Sequence, residues 1–255
     1  MISKAQVKFI RLLHQKKYRQ LHLLFIAEGS KIAIDILESA LKVHKIYATT
    51  EWLAENKHIL QRHKDIEAMD VSEEEMLKIS SLDTPQEVLL LVHIPEKISQ
   101  NTSSSPKILL AADSIRDPGN LGTIVRICDW YGISQLYCSD DCAEIYNPKT
   151  VRATMGSIAR VEVIYTDIRQ LIMDHKTHKS YAATLDGNVN IHKLTIPEPV
   201  LLIIGNEARG VSEEIIKTCD DTIMIPRYGK AESLNASIAT AVLIDNLIRN
   251  ERLKD

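Results

Sequence analysis

Residues 201–210 have the sequence LLIIGNEARG, in which a fully apolar segment runs directly into a polar loop with a glycine at each end. The apolar run, bounded by turn residues, predicts a strand. In open α/β sheets, ligands bind just beyond the carboxyl ends of the strands. Gly205 and Gly210 let the backbone approach a ligand closely or adopt a positive φ. The stretch therefore predicts a strand followed by a candidate binding loop, although an ordinary turn would explain the same residues.

A second predicted strand, at 107–112, leads into the sequence DPGNLGTIVR at 117–126. A Pro-Gly turn follows the strand, and the pattern predicts a helix over 121–131 with Asn120 near its N-cap. Arg126 lies less than two turns further along the helix. By itself this pattern is equally compatible with a capping asparagine and a surface arginine.

A third strand end has the sequence MIPR at 224–227, and SLNASIATA at 233–241 opens a final helix predicted over 233–249. The small residues of this helix permit close packing against another element, and a well-capped amphipathic helix is the plain alternative. Each of the three segments is weak evidence alone. Together they bring three strand-end loops of one sheet into a common predicted site.

The rest of the chain also alternates strands with helices. This alternation predicts an α/β fold with largely parallel sheets. Residues 95–106 (PEKISQNTSSSP) have the polar, serine-rich composition of a flexible linker. We therefore expect a first domain at 1–94 and a second domain at 107–255.

Composition limits the function without selecting it. The chain has 255 residues, of which 45% are hydrophobic and 25% charged, with a formal net charge of −3. These values are typical of a globular protein and allow a local basic patch. The four cysteines form no C-x-x-C pair and no His-rich cluster has zinc-ligand spacing, so we expect reduced thiols and no metal site. Without a signal-peptide core or an apolar run near 18 residues, we expect a cytoplasmic protein.

The first 27 residues carry six basic side chains and no acidic one. A solvated helix face is the usual meaning of such a run. An RNA-phosphate contact surface is the other interpretation. We favour it, because the chain as a whole is slightly acidic. The six residues are Lys4, Lys8, Arg11, Lys16, Lys17 and Arg19.

Several common fingerprints are missing from the sequence. It contains no G-x-G-x-x-G, because Gly119 and Gly122 lack the third glycine, and it contains no G-x-x-x-x-G-K-[ST]. G-x-S-x-G and H-E-x-x-H are also absent. The pattern therefore argues against a Rossmann dinucleotide site, a P-loop, a serine hydrolase of this type and a zinc protease.

The three strand-end segments resemble the signature motifs of the SpoU/TrmH family of RNA 2′-O-methyltransferases, within the SPOUT superfamily. The matches are N-x-G-x-x-x-R at 120–126, I-G-N-E-x-x-G at 204–210, and I-P at 225–226 followed by S-L-N at 233–235. Glu87 and Ala236 depart from the family's usual glycine and valine. Parts of the first domain are similar to the family's RNA-binding module, namely Lys16-Lys17-Tyr18-Arg19, Phe25, Glu28-Gly29 and Thr84-Pro85-Gln86.

The resemblance implies a small α/β RNA-binding domain followed by a parallel-sheet SPOUT domain with a C-terminal trefoil knot. Sequence periodicity does not predict a knot, and knots are essentially absent from most folds. The family's knot loops bind S-adenosylmethionine, largely through backbone groups. The cofactor-binding residues implied for this chain are Gly205, Asn206, Ile225, Ser233 and Leu234.

The catalytic residues implied by the resemblance are Arg126, Asn120, Glu207 and Asn235. The family assigns activation of the ribose hydroxyl to the first-motif arginine. Because a guanidinium stays protonated in proteins, we expect Arg126 to stabilise the developing alkoxide and to hold a phosphate. Asn120 would position the hydroxyl or Arg126, and Glu207 would orient a guanidinium through a bidentate pair. Ser233 and Asn235 would order the cofactor loop.

The resemblance also implies partners. The expected substrate is RNA, with ribosomal RNA favoured over transfer RNA, and the expected assembly is a homodimer whose active site is completed across the interface. The RNA contacts expected in this chain are Lys16, Lys17, Arg19 and Arg126. The function implied is transfer of a methyl group from S-adenosylmethionine to a ribose 2′-hydroxyl. A non-catalytic RNA-binding protein of the same fold is the main alternative, and a nucleotide-cofactor oxidoreductase with a similar sheet is a third.

Overall fold

The computed structural model describes residues 1–96, 106–194 and 199–252. These residues form two compact units. The first contains the described residues before 97 together with Glu144–Arg160, and the second contains the remaining described residues. The sequence predicts two domains that are each continuous along the chain. This prediction places residues 144–160 in the second domain, whereas in the structure they belong to the first unit. Most of the predicted linker lies outside the described residues.

The first unit is a four-stranded sheet with helices. Strand order is β1-β4-β2-β3, in which β4 runs antiparallel to β1 and β2, whereas β2 and β3 are parallel. The strands are β1 (Leu24–Glu28), β2 (Val43–Ala48), β3 (Glu67–Asp70) and β4 (Val88–His93). The helices are α1 (Lys4–Leu12), α2 (Lys16–His22), α3 (Ser30–Leu37), α4 (Thr50–Glu55), α5 (Lys57–Leu60), α6 (Glu73–Ile79) and α8 (Pro148–Ala153).

The largely parallel sheet predicted for this unit is wrong. After edge strand β3, the chain passes through α6 and returns to insert β4 between β1 and β2, antiparallel to both. Alternation of strands and helices does not reveal such a return, because it shows neither the order nor the direction of the strands.

Two helix starts in the first unit follow directly from the sequence. Ser3 accepts a hydrogen bond from the backbone N–H of Gln6, whose side chain in turn accepts from the N–H of Ser3. Ser72 and Glu75 form the same reciprocal box at the start of α6. Such boxes satisfy donors that the first helical turn leaves unpaired. Each of these helices therefore begins directly after a capping serine.

The second unit is a seven-stranded sheet in the order β7-β6-β5-β10-β8-β11-β9, with every neighbouring pair parallel. The parallel sheet predicted for this part of the chain is confirmed. The strands are β5 (Ile108–Ala112), β6 (Gln135–Cys138), β7 (Glu162–Tyr165), β8 (Lys179–Ala183), β9 (Val189–Asn190), β10 (Val200–Ile204) and β11 (Asp221–Met224). The helices are α7 (Pro118–Trp130), α9 (Ile168–Asp174), α10 (Glu213–Thr218) and α11 (Ala236–Arg252).

Strand β10 is the centre of this unit. All five of its residues are buried, and it lies between β5 and β8. Its side chains Leu201 and Ile203 pack in a core cluster with Leu109 and Ala111 of β5 and with Ile215 of α10. The segments that follow β5, β8, β10 and β11 all leave the sheet at its carboxyl edge. This arrangement places the three motif segments side by side.

The helices at this edge begin at positions other than those predicted. Asp117 is the N-cap of α7 and Pro118 its first residue, so Asn120 lies in the first turn rather than at the cap. Helix α11 begins at Ala236, and Asn235 accepts from the N–H of Ser237 at 2.9 Å. Each helix is preceded by a residue whose short polar side chain accepts from helical N–H groups, Asp117 before α7 and Asn235 before α11. Among the described residues, none of the helices is long and apolar enough to cross a membrane.

Candidate active site

A cavity of about 760 Å³ opens at the carboxyl edge of the second unit's sheet. Its walls come from the ends of β8, β10 and β11 and from the start of α11. All five residues predicted to bind the cofactor line it. They are Gly205, Asn206, Ile225, Ser233 and Leu234.

The loop after β10 is closed so tightly that it has no room for a side chain at its first residue. The N–H of Asn206 donates to the carbonyl of Gly210 at 3.1 Å, and the N–H of Gly210 donates back at 2.8 Å. A Cβ added to Gly205 would lie 2.1 Å from the backbone of Gly210 and of Val211. Glycine is therefore required at 205 for close backbone approach, rather than for a positive φ.

The side chain of Asn206 is used within the protein. Its amide nitrogen donates to the carbonyl of Ser114 at 2.9 Å, and its oxygen accepts from the N–H of Ala208 at 2.9 Å. These bonds join the loop after β10 to the loop after β5. Asn206 thus orders the cavity wall through both its side chain and its backbone.

Thr184 lines the cavity just beyond the end of β8 and was not among the predicted site residues. Its hydroxyl oxygen is buried and has no hydrogen-bond partner among the described residues. A buried hydroxyl without a partner costs free energy, so a ligand that supplies the partner is stabilised there. The signal that could have found Thr184 is its position at the end of a fourth parallel strand.

Three of the four predicted catalytic residues form one hydrogen-bonded chain. The amide nitrogen of Asn120 donates to the carboxylate of Glu207, and its oxygen accepts from the amide of Asn235 at 2.9 Å. Each residue comes from a different motif segment. The bidentate pair expected between Glu207 and a guanidinium is not present among the described residues, and the carboxylate accepts from the amide of Asn120.

Arg126 takes no part in these hydrogen bonds. It lies six positions after Asn120, which places it about 9 Å further along α7 and turned by about 120°. Arg126 is exposed, forms no hydrogen bond or ion pair with any residue that the structure describes, and is not among the residues lining the cavity. Its guanidinium is therefore available to a group from outside the described chain.

The basic residues of the first unit divide into exposed and buried members. Lys16 and Lys17 are exposed on α2, as an RNA-contact surface requires. Arg19 is only 1% exposed, donates to the carbonyl of Leu13 at 2.9 Å and forms an ion pair with Glu144. The prediction that Arg19 contacts RNA is therefore wrong. Its charge is neutralised by a carboxylate 125 positions away, which no local sequence pattern shows.

The thiol of Cys128 lies in the core of the second unit, away from the cavity lining. Burial raises the pKa of the Cys128 thiol to about 12, which keeps it protonated and unreactive at neutral pH. Within the described ranges, no group of three or more His, Cys, Asp or Glu side chains is placed to hold a metal ion.

Comparison with known proteins agrees with this geometry. Residues 107–245 match the model of the SpoU rRNA methylase family, and residues 4–90 match that of the MRM3-like substrate binding domain. The 23S rRNA (guanosine(2553)-2′-O)-methyltransferase RlmP of Bacillus subtilis is 30% identical over 95% of both chains.

Among solved structures, the AdoMet-bound rRNA methyltransferase of Sinorhizobium meliloti is 28% identical with a TM-score of 0.86, covering 98% of this chain and 97% of that one. The family model covers more than half of the chain, and its match includes all three motif segments of the cavity edge. The resemblance noted in the sequence is thereby confirmed. The chain belongs to the SpoU rRNA methylase family.

Proposed function

We propose that this protein transfers a methyl group from S-adenosylmethionine to a ribose 2′-hydroxyl of ribosomal RNA. The observation that carries the proposal is the cavity beyond adjacent parallel strands, lined by all five predicted cofactor residues. The Bacillus subtilis relative acts on 23S rRNA, and the Sinorhizobium meliloti structure contains AdoMet. Both support the same reaction here.

The cavity fits the cofactor in size and chemistry. Small-molecule sites span about 300–1,000 Å³ and combine apolar walls with a few polar groups, and this cavity has about 760 Å³. Ile225 and Leu234 supply apolar walls, and the closed loop at Gly205 supplies backbone groups. The unpaired hydroxyl of Thr184 offers one further polar contact. When bound, S-adenosylmethionine supplies an electrophilic methyl group on a sulfonium.

The hydrogen-bonded side chains of Glu207, Asn120 and Asn235 are proposed to position the ribose. Glu207 and Asn235 fix the amide of Asn120 from both sides, which leaves one N–H and one lone pair of that amide for a hydroxyl. Fixed geometry is what a displacement reaction needs, since attacking and departing atoms must be held in line. We propose that the hydroxyl proton leaves late or to solvent.

Arg126 is the proposed clamp for RNA phosphate and the stabiliser of developing negative charge. Its guanidinium remains protonated, so it acts electrostatically rather than as a base. Because it stands outside the cavity of its own chain, we propose that it serves the cavity of a second copy. One helical turn further on, Trp130 is 84% exposed, and Ile238 on the adjacent helix α11 is 54% exposed. Exposed apolar side chains on neighbouring helices favour a homodimer interface.

The remaining assignments follow from the proposed substrate. Residues 1–94 are the proposed RNA-binding domain, with Lys16 and Lys17 contacting phosphate, joined by a linker at 95–106 to a methyltransferase domain at 107–255 that contains the family's trefoil knot. The match to a substrate binding domain model supports the first assignment. Ribosomal RNA is favoured over transfer RNA because the relative in Bacillus subtilis acts on ribosomal RNA. The cytoplasm, where such RNA is made in bacteria, is the proposed location.

The test separates binding from catalysis. Unmethylated ribosomal RNA is incubated with the protein and methyl-labelled S-adenosylmethionine, and the digested nucleosides are analysed for 2′-O-methylribose. Arg126→Ala should abolish transfer while leaving the affinity for S-adenosylmethionine nearly unchanged, because this side chain is absent from the cavity of its own chain and is proposed to contact RNA rather than the cofactor in the second copy. Equal loss of both would make Arg126 structural. Cofactor binding without transfer by the unaltered protein would favour the non-catalytic alternative.

A further inference from the structure

An aromatic side chain stands at the mouth of the cavity with nearly its whole surface in solvent. Tyr228 lies between β11 and α11, lines the cavity and is 89% exposed. It forms no hydrogen bond or ring contact with any residue that the structure describes. A large, rigid and partly apolar ring thus lacks a partner at the position where a substrate would enter.

The loop that carries this ring is closed at its base by a hydrogen bond. The guanidinium of Arg227 donates to the carbonyl of Ala231 at 3.4 Å, which ties the base of the loop together. Tyr228, Gly229 and Lys230 form the tip, and all three are exposed. Tyr228 and Lys230 are therefore both exposed at the tip of a loop whose base is closed.

The charges around the ring favour a nucleic acid over a protein partner. Arg227 and Lys230 flank Tyr228, and Glu232 is the one carboxylate of the segment 227–232, so its net charge is positive. The centres of protein interfaces are depleted in lysine and glutamate. Surfaces that bind single-stranded nucleic acid combine cations for the backbone with an aromatic ring on which a base stacks.

We infer that Tyr228 is a stacking platform for an unpaired base of the RNA substrate, beside the nucleotide whose ribose enters the cavity. Lys230 holds the neighbouring phosphate. Stacking on a side chain requires a base that has left its helix, so the methylated nucleotide lies in a loop, bulge or other unpaired region. This inference rests on the proposed function, since it assumes that RNA approaches this cavity. Tyr228 is a positioning residue, because it fixes the ribose through the adjacent base.

The test compares variants of the intact protein in steady-state methylation of ribosomal RNA from cells that lack it. Tyr228→Ala should raise KM for RNA roughly 5- to 150-fold, the range expected when one base loses its stacking partner. Tyr228→Phe and Tyr228→Trp keep a ring and should remain close to the unaltered protein. Met173→Ala is the control, because Met173 is 49% exposed and lies on α9, outside the cavity lining.

Two further measurements exclude other roles for Tyr228. The affinity for S-adenosylmethionine, measured by calorimetry, should be unchanged, and light scattering should give an unchanged mass. An unchanged KM in Tyr228→Ala, a matching loss of cofactor affinity or a fall in mass would each overturn the inference. Each of these results leaves the proposed function intact as long as the unaltered protein methylates RNA. If the unaltered protein does not methylate RNA, both the proposed function and this inference are contradicted.

Discussion

Alanine at position 205 should destroy the proposed cofactor site while leaving most of the fold intact. The added Cβ would lie 2.1 Å from the backbone of Gly210 and Val211, whereas ordinary contacts begin near 3.4 Å. The two sides of the loop must therefore separate by about 1.3 Å. A misplacement of about 1 Å lowers the rate of a reaction that depends on fixed geometry by on the order of 100-fold, and we expect cofactor affinity to depend on the geometry of this loop to the same degree. We expect the Kd for S-adenosylmethionine to rise by at least that factor in Gly205→Ala.

The assay is calorimetric titration of S-adenosylmethionine, with thermal unfolding followed in parallel. Gly132→Ala is the matched control, because Gly132 has φ +72° but nothing lies within 4 Å of its added Cβ. Left-handed backbone costs alanine about 1 kcal/mol, so this control should lose a few degrees in Tm and retain cofactor affinity. If Gly205→Ala is folded and binds S-adenosylmethionine as tightly as the control, the backbone-lined pocket is refuted.

Asn235→Asp keeps the oxygen that caps α11 but removes the amide that donates to Asn120. The kcat should therefore fall by more than tenfold with little change in Tm. An unchanged kcat would contradict the positioning role. Asp141 has its pKa lowered to about 2, chiefly by its hydrogen bond from Arg116. The stability that this ion pair contributes is present above about pH 4 and is lost as the pH falls through 2. Because 45% of the Asp141 side chain is exposed, this contribution amounts to less than about 1 kcal/mol. Asp141→Asn should therefore lower Tm at pH 7 but not near pH 2, and a pH-independent difference would exclude the ion pair as the cause. Trp130→Asp should convert a dimer to monomers in light scattering, whereas Met173→Asp should not. If the Trp130→Asp variant has the same mass as the unaltered protein, the result would count against the proposed interface.

The position of the cavity could be predicted from the sequence because strand ends follow local patterns that recur along the chain, whereas its assignment to a cofactor came from the family resemblance. An apolar run such as Val200–Ile204 identifies a strand, and the carboxyl ends of parallel strands share one edge. Residues that follow such strands must therefore meet, and Gly205, Ile225 and Leu234 do line one cavity. Thr184 obeys the same rule and was missed because no motif draws attention to it.

Features that depend on distant contacts could not be predicted. Arg19 has the local pattern of an exposed basic residue, yet Glu144 pairs with it from a segment that packs with the first unit. The direction of β4 likewise depends on where the chain re-enters the sheet. The partner of Glu207 depends on the true start of α7, because the observed start at Pro118 places Asn120 in the first turn rather than at the N-cap.

The central claim is that this chain modifies a ribose of ribosomal RNA. Mapping of 2′-O-methylation across ribosomal RNA, in cells with and without the protein, tests it most directly. We predict that one unpaired nucleotide loses its ribose methyl group without the protein and regains it when purified protein and S-adenosylmethionine are added. Identical maps in both cells, or a methyl group on a base instead of a ribose, would contradict the account.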